Sequence, residues 1–228
     1  MNKNMIRIMR LVLFVMMASL MVIACKKNKD DNAGTANVLS PYDMNCPVGF
    51  GMNVTGGNGQ NVVTVTTQEE LRNVLAGTEP ATVYVKGKIT LDNTISVGSN
   101  KSILGLSGAV VSNTHRDTTA GVFQLMGSDN IVIRNLTILG PGAYDIDANY
   151  NDNIALVGAT NVWVDHCDIQ DGIDGNMDIV MGSDNVCVSW TRFRYLIAPT
   201  GGGTGGNDDH RNSNLIGGSN NNMDIDGG

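Results

Sequence analysis

Four short segments recur along the chain: VGSNKSI from Val97, MGSDNIVI from Met126, VGATNVWV from Val157 and MGSDNVCV from Met181. Each opens on an apolar residue and a glycine, passes a small polar turn and enters a β-rich run. Aligning Gly98, Gly127, Gly158 and Gly182 gives intervals of 29, 31 and 24 residues. A strand-built unit of that size cannot bury a core of its own, so successive units must stack. Leucine-rich repeats would carry periodic leucines and helix formers, which are absent here. Propeller blades need longer units with several strands each. The expected fold is all-β: a right-handed, single-stranded parallel β-helix. One short N-terminal capping helix is expected, because Thr67 followed by Glu70 makes a capping box for residues 68–76. VVTVT just before it alternates as a strand.

The first 24 residues are a leader rather than fold. Lys3, Arg7 and Arg10 form a positive region, and LVLFVMMASLMVIA is an apolar run too short to span a bilayer well. It ends in VIAC, which resembles a bacterial lipobox and implies lipidation of Cys25. Residues 25–42, beginning CKKNKDDNAGTAN, read as a flexible polar tether, and the lysine followed by two aspartates resembles the surface-export tethers of some Gram-negative lipoproteins. The stack is then expected over residues 43–228. This organisation predicts an outer-membrane lipoprotein, exposed at the cell surface, monomeric, and touching the membrane through its lipid anchor only.

Charge narrows the partners. Losing Lys3, Arg7 and Arg10 with the leader takes the formal net charge from −7 to −10. An acidic protein of this kind is a poor binder of nucleic acid, whose phosphates need clustered Lys and Arg. With Cys25 lipidated, Cys46, Cys167 and Cys187 remain, an odd number at spacings unlike a zinc site. If Asn130, Asn161 and Asn185 are equivalent, Cys167 and Cys187 sit four residues out of register, about 13 Å along a strand. A disulfide needs Cα atoms within about 7 Å, so both thiols should be free and act as buried apolar fillers.

The acidic stretch DHCDIQDGIDGNMD, residues 165–178, holds five aspartates. Asp174 lies four residues before Asp178, with Gly175 between them to let the chain bend, and Asp152 precedes the strand NIALVG. Stacked coils are about 4.8 Å apart, so carboxylates at coil starts can converge on one edge. Three such groups repel unless a cation joins them; hard oxygen donors select Ca²⁺ or Mg²⁺, and a flexible loop with waters favours Ca²⁺. From the residues alone, a solvated acidic loop is an equal reading. An EF-hand is excluded, since its sixth and twelfth positions would be Ile179 and Asn185. In WVDH, strand alternation puts Asp165 and His166 on opposite faces, which favours structural roles. GGGTGG, residues 201–206, lacks a strand-turn-helix context and reads as a mobile loop. No GxSxG marks a serine nucleophile.

TGGNGQNVVTVTTQEEL, YVKGKI, IVIRNLTI, NVWVDHCD, DGNMD and NVCVSWTRF, in this order, resemble the family 1 pectate lyases, from about Pro47 to Ser219. The resemblance implies a secreted β-helix that cleaves polygalacturonate by Ca²⁺-dependent β-elimination to 4,5-unsaturated oligogalacturonides. It also implies that Asp152, Asp174 and Asp178 are calcium ligands, and that Asp168 and Asp171 are loop charges. The family's base is an arginine in an RxPR-like strand downstream of the segment resembling LIGGSN. That base is expected beyond Gly228, so the chain reads as the N-terminal and central part of such a protein. Arg211 is the candidate substrate contact, next to the position where the family carries a lysine. A non-catalytic surface pectin-binding β-helix is the alternative. A glycoside hydrolase of the same architecture would need the aspartates as an acid–base pair instead.

Overall fold

The computed structural model of the chain describes residues 47, 49–146 and 151–217. The expected leader, Cys25, the tether and Cys46 lie outside these residues. A strand β1 (Val62–Val65) leads to the helix α1 (Gln68–Leu75). Thr67 caps it by accepting from the Glu70 N–H, and the Glu70 carboxylate accepts from the Thr67 N–H. The capping box therefore forms as expected, and Leu71 and Leu75 turn into the core.

Five coils follow, each of three strands. The first is β2 (Ala81–Val85), β3 (Lys88–Leu91) and β4 (Ile95–Ser96). The second is β5 (Lys101–Gly105), β6 (Val110–Asn113) and β7 (Phe123–Met126). The third is β8 (Asp129–Arg134), β9 (Thr137–Leu139) and β10 (Ile154–Val157). The fourth is β11 (Thr160–Asp165), β12 (Asp168–Gln170) and β13 (Gly175–Val180). The fifth is β14 (Asp184–Ser189), β15 (Arg192–Arg194) and β16 (Asn212–Ile216).

Equivalent strands of successive coils pair in parallel and build three sheets. The first sheet runs β1-β2-β5-β8-β11-β14, the second β3-β6-β9-β12-β15 and the third β4-β7-β10-β13-β16. This is the parallel β-helix that the repeat predicts. Apolar residues stack in inward rows: Val83, Ile103, Ile133 and Val164 in the first sheet, and Ile89, Val111, Ile138 and Ile169 in the second. All of these are at most 2 % exposed. Each row is one column of a core shared by several coils.

The repeated turn has a physical basis. Asn100, Asn130, Asn161 and Asn185 all adopt left-handed φ, from 54° to 62°. Asparagine tolerates that conformation better than other side chains, and here it redirects the chain from the third sheet into the first. The Asn130 Nδ2 donates to the Asn100 side-chain Oδ1 at 2.9 Å, linking two coils.

Cys167 and Cys187 are free thiols, as expected from their registers. Cys167 is buried, and burial pushes its thiol up to about 12. Cys187 departs from the expectation of a buried filler. It is in register with Trp163 on the outer side of the first sheet, in a small cluster with Val54 and Val132. Among the described residues no helix is long and apolar enough to cross a membrane.

Ile133 sits in mid-stack with no exposure. Ile133→Ala is expected to cost about 2–5 kcal/mol through lost burial and a cavity, read as a lower urea unfolding midpoint.

Candidate metal centre

On the third sheet, Ile154 and Met177 point into the core, so Ala155 and Asp178, one residue on, face outward. Asp178 is paired in register with Ala155 on one side and Leu215 on the other. It lies within β13 rather than just before a strand. Asp152 reaches the same face from the preceding coil, where the Asn153 N–H donates to the Gly175 carbonyl at 3.1 Å. A Cβ at position 175 would fall 2.1 Å from Asp152 Oδ1. Only glycine leaves room for that carboxylate.

Buried amides hold this corner. Asn153 and Asn176 are at most 1 % exposed. Asn153 Nδ2 donates to the Gln170 carbonyl at 2.7 Å and to Asn176 Oδ1 at 3.1 Å, and Asn176 Oδ1 also accepts from the Gly172 N–H at 3.1 Å. Residues 171–176 are thereby pinned, with Asp174 at their edge.

The carboxylates are electrostatically frustrated. Asp152 is 2 % exposed, and its Oδ2 has no hydrogen-bond partner. Burial first, then the charges of Asp178 and Asp174, push its carboxyl up to about 9. Burial also raises Asp174, to about 6, with His210 opposing and Asp178 and Asp145 adding to the rise. Asp178 is raised chiefly by burial, against its hydrogen bond with Asp152. The structure thus brings together all three aspartates singled out in the sequence. A divalent cation fits them: hard oxygen donors, one buried and unpartnered, on a glycine that admits them.

Asp145, His210 and Tyr195 belong to this region as well, and sequence reasoning missed them. His210 Nδ1 lies 2.9 Å from Asp174 Oδ1 and 3.6 Å from Asp145 Oδ1. Neither approach has hydrogen-bond geometry, so Nδ1 is buried without a hydrogen bond and the contacts are electrostatic. The ligating atoms of Asp145, Asp174 and His210 lie within 4.8 Å of one another. The Tyr195 hydroxyl is raised by burial and by the surrounding aspartates, and donates to the Asn212 carbonyl at 3.2 Å. The clue to His210 was its place in NDDH after GGGTGG, which reads as a mobile loop. Instead the loop is anchored: Asp145 Oδ2 accepts from the Asn207 N–H at 2.8 Å, and a Cβ at Gly203 would strike the Asp145 carbonyl. Arg211, the candidate substrate contact, is ion-paired with Asp209.

Two other expectations are corrected. Asp165 and His166 do not point apart, because His166 lies past the end of β11 in left-handed conformation with φ 49°. The alternation rule fails there, and His166 Nδ1 comes within 2.6 Å of Asp165 Oδ2. Asp168 is not a loop charge but the first residue of β12, held by Arg192 and Arg194 at 2.6 Å each. Asp171 lies in the loop between β12 and β13 as expected, where it is buried and accepts from the Leu196 and Ile197 N–H groups at 2.6 and 2.9 Å.

Fold and site together define a parallel β-helix protein with a candidate cation site on the outer face of its third sheet. The sequence model for pectate lyases matches residues 24–220. The chain is 33% identical over 191 residues to pectate lyase plyB of Emericella nidulans, covering 79% of this chain and 51% of that protein. It is 30% identical over 177 residues to the pectate trisaccharide-lyase of Bacillus licheniformis, covering 70% of this chain and 48% of that one. A Bacillus subtilis pectate lyase variant has a similar fold, with TM-score 0.56 at 18% identity over 79% of this chain and 64% of its own. The chain belongs to the pectate lyase family. It spans about half the length of the curated relatives it matches.

Burial of the carboxylates makes stability depend on pH. Asp152 is raised from an ordinary 3.8 to about 9, so the folded chain keeps a proton that the unfolded chain releases. The stability this contributes is full below the ordinary value, falls as pH rises, and is gone above about 9. In chelator, Tm is expected to fall between pH 5 and pH 9. Asp152→Asn should flatten that fall and raise Tm at pH 8 by about 3 °C. Scanning fluorimetry over pH checks both.

Proposed function

We propose that this chain is the part of a calcium-dependent pectate lyase that holds the cation, with Asp152, Asp174 and Asp178 as its ligands. The buried, unpartnered Oδ2 of Asp152 beside two further carboxylates is the observation that carries this reading. All-oxygen donors suit Ca²⁺ better than the softer metals that favour imidazole. His210 and Asp145 then act from outside the oxygen set by positioning Asp174.

The proposed reaction is β-elimination on polygalacturonate. A base takes the C5 proton, electrons form the C4–C5 double bond, and the O4 glycosidic oxygen leaves, giving a 4,5-unsaturated oligogalacturonide without consuming water. A bound Ca²⁺ would offset the repulsion between an acidic protein and an acidic polymer and draw charge from the C6 carboxylate, which acidifies C5. With that cation bound, the aspartates would hold the sugar's carboxylate over the outer face of β10 and β13. Asn153 and Asn176 hold that corner, and the anchored 201–206 loop leads to His210 beside Asp174 and Asp145.

Incubating the full-length protein that contains this chain with polygalacturonate and Ca²⁺ should raise the ultraviolet absorbance of the conjugated product. EDTA should abolish the rise, and Asp178→Asn should lower it by roughly 100-fold at limiting Ca²⁺. Calcium-dependent retention on pectate with no chromophore would contradict a lyase, as would new reducing ends without it.

Lipidation of Cys25 is a separate part of the proposal, resting on the VIAC sequence after a short apolar run. In a Gram-negative host, the protein is expected in the outer-membrane fraction, and Cys25→Ser in the soluble fraction.

A further inference from the structure

At the corner between the first and second sheets, Asn135, His166 and Trp190 follow one another on successive coils. Asp165 is in register with Arg134 and Ser189, which places the next residues in line. All three have left-handed φ, at 57°, 49° and 47°. Asparagine takes that conformation readily, while an aromatic residue in it is an outlier that surrounding structure must hold. Burial does not account for the tryptophan, which is 63% exposed.

The two rings form a fixed step. Trp190 stacks on His166 with centroids 6.0 Å apart and planes at 26°. His166 is held from behind by Asp165, which is 1% exposed and accepts from Arg134 Nε at 2.7 Å and Ser189 Oγ at 2.6 Å. Trp163 Nε1 donates to Ser189 Oγ at 2.9 Å. Ser189 gives its proton to Asp165 and not to His166, so the trio is not a nucleophile and its base. It is a scaffold for the imidazole.

Beside the step lies an open groove of about 530 Å³, lined by Asn135, Thr137, His166, Asp168, Trp190 and Arg192. Arg192 and Arg194 share one carboxylate, Asp168, which leaves a positive excess on a chain of net charge −7. The Arg192 side chain is 63% exposed. An exposed aromatic plane beside an exposed guanidinium suits a ring with one apolar face and an acidic rim.

We infer that this groove is a second, metal-independent binding site for a uronate residue, with polygalacturonate as the polymer proposed above. Trp190 takes the apolar face of the sugar and Arg192 its carboxylate. The groove lies at the corner of the two other sheets, off the face that carries Asp152 and Asp178. A polymer chain held there keeps the protein on its substrate while the cation site is empty of sugar.

Calorimetric titration of the full chain with tetragalacturonate in EDTA tests this. Saturable binding is expected, abolished by Trp190→Ala, retained by Trp190→Phe and weakened about tenfold by Arg192→Ala. Thermal melts establish that each variant is folded. A neutral tetrasaccharide of galactose should bind about tenfold more weakly. Absent binding, binding unchanged in folded Trp190→Ala, or equal binding of the neutral sugar each overturns the site. Product formation with Ca²⁺ by the full-length protein that contains this chain is scored separately. If product is absent while the EDTA titration saturates, the lyase reading fails and the groove stands.

Discussion

No coil of this protein has a core of its own, and everything else depends on that. Ile133 is buried because Ile103 lies beneath it and Val164 above it, in parallel register. The backbone hydrogen bonds that join coils are the same ones that set this register. A slip of one residue would turn the inward row outward and expose the core. The turn asparagines guard against it, since their left-handed conformation fixes where β5, β8, β11 and β14 begin.

Stacking also explains how distant aspartates become neighbours. Asp152 and Asp178 are far apart in sequence, yet they sit on adjacent coils of one sheet. The outward position of Asp178 follows from the inward positions of Met177 and Ile179. Gly175 then admits the Asp152 carboxylate where any side chain would exclude it. Among the described residues, no guanidinium contributes to relieving the resulting repulsion. It is relieved by protons, by His210 at Asp174, or by a cation, and only the last leaves all three aspartates charged. In the proposed function, that cation would link an acidic β-helix to an acidic polymer.

Much of this was legible in the sequence. The spacing of Gly98, Gly127, Gly158 and Gly182 measures the coil, and Thr67 with Glu70 marks the helix start. The free state of Cys167 and Cys187 follows from strand register. What the sequence hid lay mostly at strand ends and in loops. Alternation assigns faces only while the chain stays extended, and it fails at His166, where the backbone turns left-handed. Asp168 looks like a loop charge until Arg192 and Arg194 from the next coil meet it, while Asp171, in a loop as expected, is held there by two backbone N–H groups. His210 and Asp145 come together through the packing of a glycine-rich loop, for which no local pattern exists.

The central claim is that the Asp152–Asp174–Asp178 cluster takes one divalent cation in place of protons. Calorimetric titration with Ca²⁺ at pH 7, in two buffers of different ionisation enthalpy, measures binding and proton release together. The account predicts one Ca²⁺ per chain with release of about one proton, because Asp152, raised to about 9, is protonated in the cation-free protein. Absence of binding, or binding with no proton released, would contradict it.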